Sequence, residues 1–313
     1  MLSRTADSLY WTARYMERAD FLARILDAAS RLASLPSSQG STGDPWASAL
    51  ESSGAAEGFN AKYGTVDERT VRHYLAFDPD NASSIRSCLE RARHNARSVR
   101  TALTVELWEA INEAWIDLKS FEAGQDDREA FARFLEWVKS VTLTFDGAAY
   151  RTMLRNDAYW FLRIGDQIER ADNTARLLDV KYHLLLPEGE SVGGNLDYFQ
   201  WTTLLREVSA LTAYRWVYRD TIQAWLVADL LILNRQMPRS LASCQAEIVG
   251  GLDQIAEAYG RRGLSQRQAS ATLRRLSEAR IETIFQSGLH EFISSFIEEN
   301  NALGAAIFEQ YLV

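Results

Sequence analysis

An all-α protein, built as one large helical bundle with an approximate internal duplication, is what this 313-residue chain predicts, and three observations carry the prediction. Proline is nearly absent. Pro36, Pro45, Pro79, Pro187 and Pro238 are the five in the chain, and none interrupts residues 80–186, 188–237 or 239–313. Within those spans Ala, Leu, Arg and Glu abound, and apolar residues recur at helical rather than alternating spacing. Finally, one phrase occurs twice. Met16-Glu17-Arg18-Ala19-Asp20, followed by Ala23-Arg24-Ile25-Leu26-Asp27, returns as Ile168-Glu169-Arg170-Ala171-Asp172, followed by Ala175-Arg176-Leu177-Leu178-Asp179. Eight of the twelve positions are identical. Apolar periodicity alone would preserve residue class, not a Glu-Arg pair with Asp, Arg and Asp at fixed spacing. A weaker third copy lies between them, Leu89-Glu90-Arg91-Ala92 with Ala96-Arg97.

The elements follow in order. A first helix runs from about Thr5 to Ala33. Residues 36–64 are rich in Ser, Gly and Ala and read as a flexible surface insertion. Thr65 and Glu68 suit a capping box for a short helix ending near Phe77. Asp78-Pro79-Asp80-Asn81 forms a turn and N-cap for the helix carrying Arg86 to Arg100. Trp108, Ile111, Trp115 and Leu118 continue at helical spacing, Gly124 to Asp127 break it, and Phe131 to Leu154 resume it. The second Glu-Arg helix spans about Asp157 to Leu186 and stops at Pro187. After a link from Gly189 to Asn195, helices occupy about Leu196 to Leu233. Another follows Met237-Pro238-Arg239-Ser240, and Ser265 with Gln268 caps a last stretch reaching Tyr311. No composition shift divides the chain, so residues 1–313 are expected to form one domain in which the two Glu-Arg helices face each other.

With 47% hydrophobic and 24% charged residues the chain has an ordinary globular composition. A net charge of -8 argues against a general affinity for nucleic-acid phosphates or anionic lipid. Cys88 and Cys244 are too far apart in sequence to suggest a disulfide framework, which fits a reducing cytoplasm. The opening residues lead into an amphipathic segment rather than a signal peptide. The greasiest run, Ile222 to Leu233, is shorter than the roughly 20 apolar residues a bilayer span needs and reads as a buried helix. A cytoplasmic location without nucleic-acid or membrane partners is the expectation.

Helical projection, at about 100° per residue, places Trp11, Tyr15, Phe21, Leu22, Ile25, Leu26 and Leu32 on one core face, with Arg18 in its middle. Glu17, Asp20, Arg24 and Asp27 fall on a separate polar stripe. In the second copy Trp160, Ile164, Ile168, Leu177, Leu178, Leu184 and Leu185 form the core arc, and Arg170 again lies inside it. An arginine on a core face keeps its charge and needs a carboxylate. The expectation is therefore that Arg18 and Arg170 are largely buried and paired reciprocally, Arg18 with Glu169 and Arg170 with Glu17. Two readings stay open: a polar brace that fixes helix packing, or charges lining a small-molecule cavity.

In the third copy, Ile85, Cys88, Leu89, Ala92, Ala96, Val99 and Leu103 make an apolar face beside a stripe of Arg86, Arg93, Arg97 and Arg100. That stripe is a solvated face by default, or it neutralises Asp20, Asp27, Asp172 and Asp179, or it binds an anion; neutralisation is the preferred refinement, because the charges are complementary. Glu90 with His94 and Asp179 with His183 share helical faces, but such pairs arise often by chance and no metal is assigned. Glu-x-x-His, P-loop, dinucleotide, nucleophile-elbow and zinc-finger patterns are missing, so no cofactor is assigned either. Trp11, Trp108, Trp115, Trp137, Trp160, Trp201, Trp216 and Trp225 mostly match core spacing.

Laid out this way the sequence resembles the alpha-E family of bacterial all-helical proteins, named for a Glu-Arg motif. The matching residues are Tyr10-Trp11, Ala13-Arg14-Tyr15-Met16-Glu17-Arg18-Ala19, Asn95-Ala96-Arg97 with Val99-Arg100, Trp108-Glu109-Ala110-Ile111-Asn112, Ile168-Glu169-Arg170-Ala171-Asp172, Pro238-Arg239-Ser240-Leu241 and Gly288-Leu289-His290-Glu291. The resemblance implies a setting beside, or fused to, a circularly permuted ATP-grasp ligase, often with a transglutaminase-like protease, in a system that makes and trims amide or peptide bonds. Under it this chain would be an accessory or substrate-binding partner. The alternatives are an enzyme of amide-bond formation or transfer using Glu17 and Glu169, and an anion-binding module in which Arg86, Arg93, Arg97 or Arg239 holds a carboxylate or phosphate. The polar network singled out for either role comprises Glu17, Arg18, Asp20, Arg24, Arg93, Arg97, Glu169, Arg170, Asp172, Arg176 and Arg239.

Overall fold

The computed structural model describes residues 1–34, 44–121, 127–183 and 194–313. In chain order the helices are α1 (Ser3–Ala33), α2 (Pro45–Ser52), α3 (Ala56–Lys62), α4 (Glu68–Ala76), α5 (Ile85–Ser98), α6 (Val105–Phe121), α7 (Arg128–Thr152), α8 (Asp157–His183), α9 (Asn195–Glu207), α10 (Leu211–Tyr218), α11 (Ala224–Ile232), α12 (Leu241–Tyr259), α13 (Leu264–Glu278), α14 (Ile281–Ser287) and α15 (Leu289–Ile307). Among the described residues there is no strand.

The two Glu-Arg helices, α1 and α8, form the axis of the bundle. They run in the same direction, because Tyr10 lies against Gly165 and, further along both, Glu17 lies against Arg170. Helices α5 and α7 pack on α1, while α12 and α15 pack on α8. The central pair is thereby enclosed, and α1 buries apolar residues such as Leu9, Met16, Phe21 and Leu26 together with Glu17 and Asp20. Small residues bring the two helices close. Ala13, Ala19 and Ala23 of α1 and Ala171 and Ala175 of α8 are all completely buried. A Cβ added at Gly165 would stand 2.2 Å from the Tyr10 carbonyl oxygen.

Residues 44–64 do not form a loose insertion. Asp44 caps α2 by accepting from the Trp46 amide, and Trp46, Leu50 and Phe59 enter the main core. Ser and Gly content there marks short helices joined by turns; residues 36–43 lie outside the described part. Several boundaries also differ from expectation. The capping box of α4 is Asp67 with Thr70, and α5 is capped by Ser84. Gly263, whose amide donates to Gln266 Oε1, opens α13. Two starts agree with expectation: Asp127, at the end of the expected break, caps α7 by accepting from Glu129 and Ala130, and Ser240 caps α12. The stretch 196–233 divides into α9, α10 and α11, and the final stretch breaks at Gly288, whose φ of 106° suits a residue without a side chain. Pro187, the link from Gly189 to Gly193 and the Gly124 break lie outside the described residues.

The apolar run does form a buried helix, α11, with Leu226, Val227, Leu230, Leu231 and Ile232 in the core. Among the described residues no helix is long and apolar enough to cross a membrane. Not every tryptophan is internal: Trp216 and Trp225 stand out from the surface at 75% and 45% exposure.

Candidate functional site

Both reciprocal Glu-Arg pairs form across the α1–α8 contact. Arg18 donates from Nε to Glu169 Oε1 at 2.6 Å and from Nη2 to Oε2 at 3.1 Å. Arg170 donates from Nε and Nη2 to Glu17 Oε2 at 3.2 and 2.8 Å. Each glutamate also takes a second guanidinium. For Glu169 it is Arg14, 2.8 Å away on the turn before Arg18. For Glu17 it is Arg239, 2.6 Å away and held in place by the Thr174 hydroxyl bonding its carbonyl oxygen.

Burial is distributed differently from the helical projection. Glu17, Asp20 and Glu169 are 5%, 2% and 2% exposed and Arg170 is 8% exposed, whereas the Arg18 side chain keeps 24% of its surface. The projection assumes one buried face, but α1 is enclosed on several sides, so its acidic stripe is interior. The network continues from there. Arg239 Nη2 and Arg24 Nε both donate to Asp20 Oδ2 at 2.6 Å, and the Thr142 hydroxyl donates to Oδ1. Asp166 accepts from Arg163, Gln167 and Arg170.

Electrostatics fix the charge of this assembly. Complete burial of Glu169 disfavours its ionised form, but Arg18 and Arg14 outweigh that and hold its pKa down to about 2. For Arg14, Arg18, Arg170 and Arg239 burial likewise opposes the charge, and the adjoining carboxylates override it and raise each pKa. Asp146, beside Arg170, moves the other way: burial first, then Asp166, push it up to about 7. Although a neutral-range acid could transfer a proton, the crevice shared by Asp146, Glu17, Asp20 and Asp166 encloses only about 20 Å³, room for about one water.

Glu207 presents a separate titration. Arg24 Nη1 reaches its backbone oxygen and the Ser209 hydroxyl, but the buried Glu207 Oε2 has no hydrogen-bond partner among the described residues. Burial, then Asp27, push this carboxyl up to about 8. Its native pKa lies above the unfolded value of 4.5, so the native state holds the proton more tightly. Stability should therefore fall as pH rises from about 4.5 toward about 8 and level off above. Thermal melts should show Glu207→Gln more stable than the parent at pH about 8 and nearly equal to it at about 5; parallel pH curves would refute this.

The third-copy arginines do not neutralise the acidic stripes. Arg93 donates to the Asn112 side-chain oxygen, Arg86 pairs with Glu90 and lies over Trp115, Arg100 lies over Trp108, and Arg97 is exposed. The aspartates find nearer partners. Asp27 takes Arg31 and Lys139, Asp172 takes Arg176, and Asp179 takes His290 at 2.6 Å. The α5 stripe faces α6, through Asn112, Trp115 and Trp108, and solvent. No group of described His, Cys, Asp or Glu residues is arranged to hold a metal; the His183 side chain is outside the described part.

Arg14, Asp166 and Asn173 were not singled out in the sequence. The repeat offered a signal: it sets Asp166 where the first copy has Arg14, a charge reversal that a search for identity discards. Beside Glu169 the structure opens a cavity of about 220 Å³, lined by Arg18, Ser83, Glu169, Asp172, Asn173 and Arg176 among others. A second groove of about 250 Å³ lies behind Arg14, between Trp11 and Asn300.

Fold and site define a class: an all-helical protein whose two axial helices are cross-braced by a repeated Glu-Arg motif. The model of the Alpha-E family, a predicted alpha-helical domain with a conserved ER motif, matches residues 1–312, and the chain belongs to that family. No match was found among curated proteins or among solved structures.

Proposed function

We propose that this protein is an accessory, substrate-binding subunit for an ATP-grasp ligase in a system that forms amide or peptide bonds, with a transglutaminase-like protease as a further partner. One observation carries the non-catalytic part of this reading: each motif glutamate is buried between two guanidiniums, and Glu169 is held near pKa 2. A carboxylate so committed is a poor general base or acid, because useful proton transfer needs a pKa near the working pH. The motif is then a brace that sets the geometry of the cavity beside it. The ligase assignment rests on the family resemblance. Trp216 and Trp225, exposed on α10 and α11, offer a partner aromatic surface to bury.

Co-purification of the full chain with the ATP-grasp protein tests the reading. The pair should remain together through size exclusion, with or without ATP, and Trp216→Ser should weaken the complex without lowering the melting temperature. Failure of the purified pair to associate under both conditions would overturn it.

A further inference from the structure

We propose that the cavity between Arg18 and Arg176 is a binding site for a small carboxylate. This deepens the substrate-binding reading and rests on it only for biological context. The argument begins with the broken symmetry of the two halves. Around Glu17, Arg239 reaches across to Asp20 with 2.6 Å bonds to both carboxylates and closes that side to about 20 Å³. Around Glu169, no guanidinium among the described residues spans to Asp172, and the corresponding space is open at about 220 Å³.

The sign of the charge differs as well. Where α8 has Asp166, α1 has Arg14, which bonds Glu169 from the side of the neighbouring groove, while Arg18 and Arg176 face the open side together with Glu169 and Asp172. Glu169 is thereby divided between two guanidiniums, whereas Asp172 is matched by Arg176. Glu169 acts as a positioning residue, because its bonds to Arg18 Nε and Nη2 turn Nη1 toward Ser83, where it makes only a 3.3 Å bond. Asn173, which also lines the cavity, is 4% exposed, and its Nδ2 is buried with no hydrogen-bond partner among the described residues. Buried amides are almost always satisfied, and rotation of this one about χ2, which exchanges Nδ2 with Oδ1, turns its N–H groups to the cavity, where an acceptor can meet them. Gly54, also on the cavity lining, adopts a φ of 65°, and a Cβ there would touch Arg176 Nη1 at 3.4 Å.

An occupant that meets Arg18 Nη1 must bring acceptor oxygens, and with Glu169 divided between two guanidiniums a single negative charge is accommodated. A carboxylate does so, and its planar pair of oxygens suits a guanidinium edge and an amide N–H. Asp172 and Glu169 on the same wall disfavour the second charge of a phosphate.

Calorimetric titration of the full-length protein with N-acetylglycine, its neutral analogue N-acetylglycinamide and inorganic phosphate tests the site. Saturable binding of N-acetylglycine is expected, with none of the amide and weaker binding of phosphate. Asn173→Leu, which keeps the volume but removes the donor, should weaken binding at least tenfold. Arg176→Gln, at the rim, should do the same and serves if the buried substitution impairs folding. Equal binding of acid and amide, tighter binding of phosphate, undiminished binding by folded variants, or no binding at millimolar probe would each overturn the proposal. Probe binding by a chain that does not associate with the ligase would instead overturn the partnership and leave the site standing.

Discussion

Glu169→Ala is expected to destabilise the protein by about 3 kcal/mol or more, the lower end of what is lost when one partner of a buried ion pair is removed. Arg14 and Arg18 would both lose their carboxylate. Among the described residues Arg14 keeps the Tyr10 hydroxyl and Arg18 keeps Ser83 as hydrogen-bond partners, and neither has another carboxylate in contact. Because 17% and 24% of these side chains are exposed, water can solvate part of the released charge, which is why the lower end applies. Glu17→Ala should cost less, although it also strips two guanidiniums. Arg170 retains Asp166 and Asp146, and Arg239 retains Asp20. Urea denaturation of the two variants gives the ranking directly. If Glu17→Ala proves the more damaging, the distribution of carboxylates described above does not govern stability.

The acid limb gives a second readout of the same pair. The native pKa of Glu169, about 2, lies below its unfolded value of 4.5. Its contribution is therefore fully present above about pH 4.5 and fades as pH falls toward about 2, and a displacement of this size corresponds to roughly 3 kcal/mol. Glu169→Gln keeps the shape and some of the hydrogen bonds but cannot titrate. Its stability should be lower at neutral pH and should vary less between about pH 4.5 and 2 than that of the parent.

The fold class was legible because an all-helical chain signals itself by what it omits, proline and strand alternation, and because Asp127 and Ser240 mark helix starts with side chains that accept backbone N–H groups. Helices α2 and α3 were not. At seven or eight residues they are too short for periodicity to rise above a Ser- and Gly-rich background. Trp46 and Phe59 were the available sign that the segment has a core to enter. At the site, repetition disclosed the reciprocal Glu-Arg pairs, since a spacing kept twice implies a shared contact. It could not disclose which charges are interior, because α1 is enclosed on more than one side. Nor could it disclose Arg14 and Arg239 as second partners, since neither is repeated.

Gly165→Ala should be the most informative small change in the protein, because two physical effects predict opposite signs. Helix propensity alone predicts a gain of about 1 kcal/mol when a mid-helix glycine becomes alanine. Here the new Cβ would lie 2.2 Å from Tyr10 O and 3.1 Å from Tyr10 Cα, against main chain that no rotamer change can clear. Helices α1 and α8 would have to separate. Overpacking usually costs about 1–3 kcal/mol, and in this case the same displacement would stretch the Arg18–Glu169 and Arg170–Glu17 bonds, now 2.6 and 2.8 Å. A net loss above about 3 kcal/mol is therefore expected, together with weaker binding at the cavity framed by Arg18. Gly147 in α7 supplies the control, since a Cβ there meets nothing within 4 Å, and Gly147→Ala should recover the propensity gain of about 1 kcal/mol. If both substitutions stabilise the protein alike, close approach of the axial helices is not what holds the Glu-Arg pairs in register; opposite signs make Gly165 the residue on which the motif's geometry depends.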